Sequence, residues 1–300
     1  MNISSKDDAW FAEWTARWDA MQDAYVPCRR EAFALMADIL VEQFPERCRV
    51  VDLGAGAGTL AETILSRHPN ASLLCLDVER FLLEAAGRRL RPFGARAKIA
   101  RCDLRKEGSL AELAEPAEEP GGPRATRPTS PQRSTSAPNA RGEDVGRVAL
   151  GPPQLAEGHN ADAVVMTTTA HWFSEQRLVQ MYGWAAEILV DGGLCMVFDH
   201  IPPDDEALAR LALEMNEAEV TCRFQQGGAQ TWEEFWQTLG GSLGAPDYAA
   251  EIAAPAWGAQ DGPETGHAVA VHRRLLLAAG FRHVAAMWRH LSDALLVAQR

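Results

Sequence analysis

The spacing of apolar residues changes character along this chain. From about Asp7 to Phe44 it is helical: Trp10, Trp14 and Trp18 recur every fourth position, joined by Phe11 and Met21 in one aromatic stripe. Pro27 ends or kinks that helix, and Phe33, Met36, Ala37 and Leu40 mark one face of a second. The stripe reads as core packing of a cap helix, or as rings that, with Tyr25, wall a substrate pocket. Short apolar runs then alternate with helical ones. Strands are expected at Arg49–Leu53, Ser72–Leu76 and Ala97–Arg101, with helices over Leu60–Arg67 and Phe81–Leu90. Large apolar residues almost vanish between Gly108 and Asn160, and about Glu115–Ala156 reads as a disordered insertion. Order returns with a strand at Ala161–Met166, a helix over Gln176–Leu189, a turn at Asp191-Gly192-Gly193 and a strand at Leu194–Phe198.

Alternation of this kind predicts a doubly wound parallel sheet covered by helices on both faces. After His200 the alternation stops, and a helical stretch punctuated by Leu208, Leu211, Met215, Trp232, Phe235 and Trp236 reads as a second cap. A helix over Ala268–Ala278, stopped by Gly280, leads into two strands near Arg282–Trp288 and Asp293–Ala298. The expected organisation is an N-terminal helical cap (1–45), a core (46–199) carrying the insertion, a helical lid over substrate (200–266), and a closing helix and hairpin (267–300).

The chemistry concentrates in Val50-Val51-Asp52-Leu53-Gly54-Ala55-Gly56-Ala57-Gly58-Thr59. It reads as a buried strand entering a glycine turn that opens a helix. Glycine tolerates positive φ and lets backbone approach a ligand, and the free N–H groups of a helix start favour negative charge. Dinucleotide enzymes prefer G-x-G-x-x-G, whose third glycine position is Thr59 here. Asp77 ends the second strand, where a carboxylate can accept from both hydroxyls of a ribose; an acid capping the following helix is the plainer alternative. Asp103 ends the third strand. Thr167-Thr168-Thr169-Ala170-His171-Trp172 follows the fourth, and Asp199 and His200 end the fifth. His171 and His200 are rival candidates for a general base, and Trp172 for a pocket wall. His267 and His272 lie further along the chain. No H-E-x-x-H, nucleophile elbow or clustered metal ligands are present.

The spacing D-x-G-x-G-x-G, with Asp77, Asp103 and the Thr-rich segment ending in His171-Trp172, resembles the class I S-adenosylmethionine (SAM)-dependent methyltransferases of the small-molecule branch. The likeness runs from about Glu46 to Arg300 and includes the Asp-Gly-Gly turn and the Ala279-Gly280-Phe281 helix stop. It implies a Rossmann-like seven-stranded sheet in the order 3-2-1-4-5-7-6, with strand seven antiparallel. It implies that Gly54, Ala55, Gly56 and Gly58 accommodate the methionine end of SAM, with Asp52 orienting loop and amine. Asp77 would then hold the ribose, Asp103 and the Leu104 N–H the adenine edge, Val78 and Leu104 its faces. Thr167 and Thr168 would lie beside the reactive methyl. The implied reaction is methyl transfer to an oxygen, nitrogen or carbon nucleophile. A SAM-fold regulator without catalysis and a nicotinamide-dependent oxidoreductase are the alternatives.

Composition narrows the partners. With 29 Lys and Arg against 41 Asp and Glu, the formal net charge of -12 argues against a nucleic-acid partner and for a small-molecule acceptor. The six cysteines form no C-x-x-C pair and read as reduced, buried thiols of a cytosolic protein. Neither a signal peptide nor a run able to span a bilayer is read in the sequence.

Overall fold

The computed structural model describes residues 3–106, 108–110, 160–253 and 266–300. The expected insertion at 115–156 lies outside the described residues. Two helices lead: α1 (Asp8–Tyr25), capped by Asp7 accepting from the Trp10 N–H at 2.8 Å, and α2 (Arg29–Gln43). Pro27 lies in the break between them, where its missing N–H costs no helical bond. Strands β1 (Cys48–Leu53), β2 (Ala71–Asp77) and β3 (Ala97–Arg101) alternate with α3 (Thr59–Arg67) and α4 (Arg80–Leu90). Beyond the insertion come β4 (Ala161–Thr167), α5 (Glu175–Ile188) and β5 (Leu189–His200). Helices α6 (Glu206–Gly227), α7 (Trp232–Ser242) and α8 (Tyr248–Ala253) follow, then α9 (Val269–Ala278), β6 (His283–His290) and β7 (Asp293–Gln299).

The seven strands form one sheet in the order β3-β2-β1-β4-β5-β7-β6. Strands β1 to β5 pair in parallel, and β7 runs antiparallel between β5 and β6. Both expectations for the sheet therefore hold. The dinucleotide-binding order, 3-2-1-4-5-6 with all strands parallel, is not this one.

Side chains alternate across the sheet and sort into two layers. Val50, Leu73, Val165, Met196 and Phe198 pack under α2 and α3; Val51, Leu76, Val164, Met166 and Val197 pack under α5 and α9. Strands buried on both faces read as unbroken apolar runs, which is why their positions were legible. Helix α2 thus covers the sheet, because Phe33, Met36 and Leu40 belong to that layer. A third cluster joins α1 to α4, α7 and α8 through Phe11, Trp14, Trp18, Phe81, Phe235, Trp236 and Tyr248. The aromatic stripe of α1 therefore packs against a partner some 220 positions later in the sequence, as in the Trp14–Phe235 edge contact at 5.8 Å.

Two local expectations are corrected. The Asp191-Gly192-Gly193 turn lies inside β5 as a bulge: Ala161 pairs with Leu189 but Ala163 pairs with Leu194, and Gly192 takes φ +75. The Leu208, Leu211 and Met215 positions of α6 are exposed, and that helix buries only Ala212 and Asn216 among the described residues. All six cysteines are free, but Cys222 is exposed and Cys28 half-buried. No helix among the described residues is long and apolar enough to cross a membrane.

Candidate functional site

A cavity of about 630 Å³ opens at the carboxyl ends of the parallel strands, where open α/β sheets bind ligands. Its wall includes the residues singled out in the sequence at Gly54, Ala55, Gly56, Asp77, Val78, Asp103, Leu104, Thr167, Thr168, His171, Trp172, His200 and Tyr25. Asp52 and Gly58 lie outside the wall.

The glycine loop shows why. Gly54, Gly56 and Gly58 all take positive φ, +79, +54 and +79. A Cβ on Gly54 would sit 2.2 Å from Thr169 Oγ1, so this glycine lets the β1 and β4 loops touch. A Cβ on Gly58 would press Ala86 and Leu90 at 3.2 Å, so this one serves packing of α3 on α4. Gly56 faces the open side, with only Trp18 nearby at 3.9 Å.

The acids at the strand ends differ in state. Asp77 Oδ2 accepts the Gly56 N–H at 2.8 Å, and Oδ1 accepts from Val78 and Glu79 at 2.7 and 2.9 Å. Burial raises its pKa, and the three N–H donors partly offset that. The cap of α4 is Glu79, accepting from the Leu82 N–H at 2.7 Å, so Asp77 is not that cap. Burial pushes Glu79 up to about 7, countered in part by the hydroxyl of Tyr248 on α8. Asp103 pairs with Arg105 through two bonds of 2.7 and 2.8 Å. Burial would raise Asp103, but the Arg105 bonds outweigh it and hold it below the usual carboxylate range. Asp52 is fully buried with both oxygens unpartnered, and accepts no bond from the loop. Burial, with the nearby Asp77 charge, pushes it up to about 7. The expectation that Asp52 orients the loop is therefore corrected: Asp77 does so, through Gly56.

Two His–Asp pairs adjoin the cavity. Asp199 Oδ2 accepts from the N–H groups of Thr169, Ala170 and His171 at 2.9, 2.6 and 3.3 Å. Its Oδ1 lies 2.6 Å from His171 Nδ1 and accepts the His200 N–H at 2.8 Å. Burial alone would raise Asp199; the His171 imidazole and its hydrogen bond outweigh it and hold the carboxyl well below its usual range. An ionised Asp199 accepts, so His171 carries its proton on Nδ1 and Nε2 is the basic nitrogen. His200 Nδ1 stands 2.6 Å from Asp293 Oδ1. Burial would lower the His200 pKa, but the Asp293 bond raises it overall. The two imidazoles lie 5.1 Å apart.

Asp199 ends β5 but is not on the cavity wall; it lies buried beneath the Thr169–His171 turn. That turn is strained, since Thr168 holds φ +49, a left-handed conformation rare for a β-branched residue. Trp18, Trp172 and Trp232 form a continuous aromatic wall, with ring centroids 5.8 Å (Trp18–Trp232) and 6.3 Å (Trp172–Trp232) apart. The Trp232 N–H donates to Tyr25 Oη at 3.1 Å. His267 and His272 do not line the cavity and bond to Phe173 O and Tyr182 Oη instead, and burial pushes His272 down to about 4. No cluster of three or more metal-ligand side chains occurs among the described residues.

Sequence reading gave no individual site role to Asp293, Arg29, Arg105, Thr169 or Trp232, which contact or line the cavity residues. The His171–Asp199 and His200–Asp293 pairs join residues 28 and 93 positions apart, which no local spacing encodes.

Comparison with known proteins agrees with this frame. The family described as methyltransferase small domain matches residues 31–113. A carboxy-S-adenosyl-L-methionine synthase of Nitratiruptor sp. is 32% identical over 88 residues, 29% of this chain and 37% of that one. A trans-aconitate 2-methyltransferase of Methylobacterium nodulans is 40% identical over 76 residues, 25% of this chain and 29% of that one. The matched stretch thus spans about a third of these relatives' length. The solved structure of an O-methyltransferase family protein from Burkholderia thailandensis superposes with a TM-score of 0.52 at 17% identity, covering 99% of this chain and 64% of that one. Strand order, glycine loop and structural likeness together define the fold, the Rossmann-like sheet of the class I methyltransferases, and residues 31–113 match the methyltransferase small domain.

Proposed function

We propose that this chain transfers a methyl group from SAM to an oxygen, nitrogen or carbon nucleophile of a small-molecule acceptor. The observation that carries the reading is one cavity lined by the glycine turn and by two histidines, His171 and His200, each held by a buried aspartate. The fit to SAM rests on this chain's own residues. Gly54 and Gly56 leave backbone exposed in a conformation that larger residues resist, and Asp52, a buried acid without partner outside the cavity wall, favours the methionine amine through its charge. Asp77, anchored by three backbone N–H groups, retains lone pairs for ribose hydroxyls. Asp103 and the Leu104 N–H serve the adenine edge, between Val78 and Leu104. Thr167 and Thr168 adjoin the methionine end.

When bound, SAM supplies a methyl carbon made electrophilic by its sulfonium sulfur. The protein's task is then alignment, which can supply up to about 7–11 kcal/mol. Trp172, Tyr25, Trp18 and Trp232 wall the acceptor. His171, its tautomer fixed by Asp199, takes the proton of an acceptor that must lose one, on Nε2. His200, held by Asp293, is the second polar contact. The trans-aconitate in one relative's name is a small molecule, and the net charge of -12 favours such an acceptor over RNA. A cytosolic location belongs to the same reading, supported by six free cysteines.

The test is release of S-adenosylhomocysteine (SAH) from SAM in the presence of phenols, carboxylic acids, amines and a ribosomal RNA fragment. Acceptor-dependent release with a small molecule is expected. Release with RNA alone, or tight SAM binding with no turnover on any acceptor, would contradict the proposal.

A further inference from the structure

His200 reaches the cavity from the last position of β5. Gly266, far later in the chain, lies buried against it. A Cβ on Gly266 would stand 1.6 Å from the His200 carbonyl oxygen, 2.7 Å from its carbonyl carbon and 3.2 Å from its Cβ, a closer approach than at any other described glycine. Gly266 also holds φ +75, a conformation that a residue with a Cβ resists. Two independent demands thus fall on one glycine. It is not part of the cavity wall, so what it does for the site passes through His200.

The chain on both sides of this contact is pinned. His267 Nε2 lies 2.8 Å from the carbonyl of Phe173, which lines the cavity. The Ala270 N–H donates to Asp204 Oδ1 at 2.7 Å, tying the start of α9 to the segment that follows β5. The Ile201 N–H donates to the Ser292 carbonyl at 2.8 Å, and His200 itself is held by Asp199 and Asp293. Residues 200–204 and 266–270 are therefore locked together with no room between His200 and Gly266. A methyl group added at Gly266 has to move His200 or break one of these bonds.

We propose that Gly266 is a positioning residue for methyl transfer: its bare backbone, seated on the His200 carbonyl and Cβ, sets where the His200 ring stands in the cavity. The proposal rests on the methyl-transfer reading above, in which His200 is the second polar contact to the acceptor, and adds a residue to it. Asp293 fixes one nitrogen of the ring, and the pairing of β5 with β7 fixes its backbone. Gly266 supplies a further stop from a different part of the chain. Alignment is the protein's main task in such a reaction, and a displacement of about 1 Å can cost about 10²-fold in rate.

Proton NMR of the histidine rings across pH tests this, with the His200 signal assigned by its loss in His200→Ala. The charged and titratable groups around that ring are Asp293 of β7, Asp199 of β5 and His171 after β4, with Arg289 of β6 donating to the adjoining Ile201 carbonyl. In Gly266→Ala the His200 midpoint should fall by about one pH unit, because a stretched Asp293 bond no longer offsets burial. Affinity for SAH, measured by calorimetry, should stay near that of the wild type, which also reports that the cavity is folded. His267→Ala, which frees the residue next to Gly266 and adds no bulk, should move the midpoint in the same direction by less. A midpoint unchanged in Gly266→Ala overturns the proposal; if that variant does not fold, a midpoint unchanged in His267→Ala does. SAH release on phenols, carboxylic acids and amines gives the second readout. Gly266→Ala should lower kcat/KM roughly tenfold to a hundredfold, and no further in a His200→Ala background. Equal losses in the two backgrounds place its action elsewhere and overturn the proposal too. A wild type that binds SAH but turns over no acceptor instead overturns the methyl-transfer reading, while the His200 midpoint still reports the positioning.

Discussion

Two buried carboxylates in this molecule stand in opposite electrostatic situations. Asp199 is held ionised by two imidazoles and by backbone donors, whereas Asp52 has no donor and is pushed up to about 7. The consequences have opposite signs. A folded-state pKa above the unfolded value contributes stability that is present below about pH 4 and lost as pH rises through about 7. Asp52→Asn should therefore stabilise the ligand-free protein at pH 8 by about 1–4 kcal/mol, with the gain vanishing toward pH 4. Melting temperatures measured across that range check it; a gain independent of pH would mean the carboxyl is not the cause. A depressed pKa works the other way: the Asp199 contribution is present above the usual carboxylate range and lost in acid. Asp199→Asn should cost about 3–5 kcal/mol at neutral pH, since it unpairs a buried charged network. For catalysis, His171→Ala should lower kcat by about 10²–10⁴-fold while SAH affinity stays near that of the wild type. If His171→Ala and His200→Ala each turn over like the wild type, alignment is the whole mechanism.

Among the elements, the least local feature is the aromatic cluster of α1, α4, α7 and α8. Trp236 is almost fully buried there, against Trp18 at 5.8 Å and Tyr248 at 6.0 Å. Trp236→Ala should cost about 3–5 kcal/mol. Because this cluster is separate from the two layers on the sheet, amide exchange should quicken in α1, α7 and α8 while β1 and β4 keep their protection. Uniform quickening would show that the cluster and the sheet unfold as one unit. The central strands β1, β2, β4 and β5 were legible because double burial writes an apolar run, whereas β3 and β6 at the sheet edges are largely exposed. The covering role of α2 was not, since a helix's own pattern gives its apolar face but not which layer receives it. The outward stripe of Leu208, Leu211 and Met215 makes the same point, as an apolar pattern that finds no partner among the described residues. The aromatic spacing of α1 was equally consistent with core and pocket, and the structure divides it: Trp14 packs inside, while Trp18 packs and also lines the cavity.

For the whole molecule, topology does what local motifs cannot. Parallel strands end on one side of the sheet, so Gly54, Asp77, Asp103, Thr167 and His200, scattered over 147 positions, meet at one cavity. That convergence could be read from the sequence once strand ends were placed, because each residue follows an apolar run. The partners that tune them could not: Asp293 reaches His200 only because β7 inserts antiparallel beside β5. The central claim is that this cavity is built for SAM and not for a nicotinamide dinucleotide. Titration of the full chain with SAH and with NAD, followed by calorimetry, tests it most directly. The account predicts saturable one-to-one binding of SAH, abolished in Gly56→Val, and no binding of NAD; binding of NAD without SAH would contradict it.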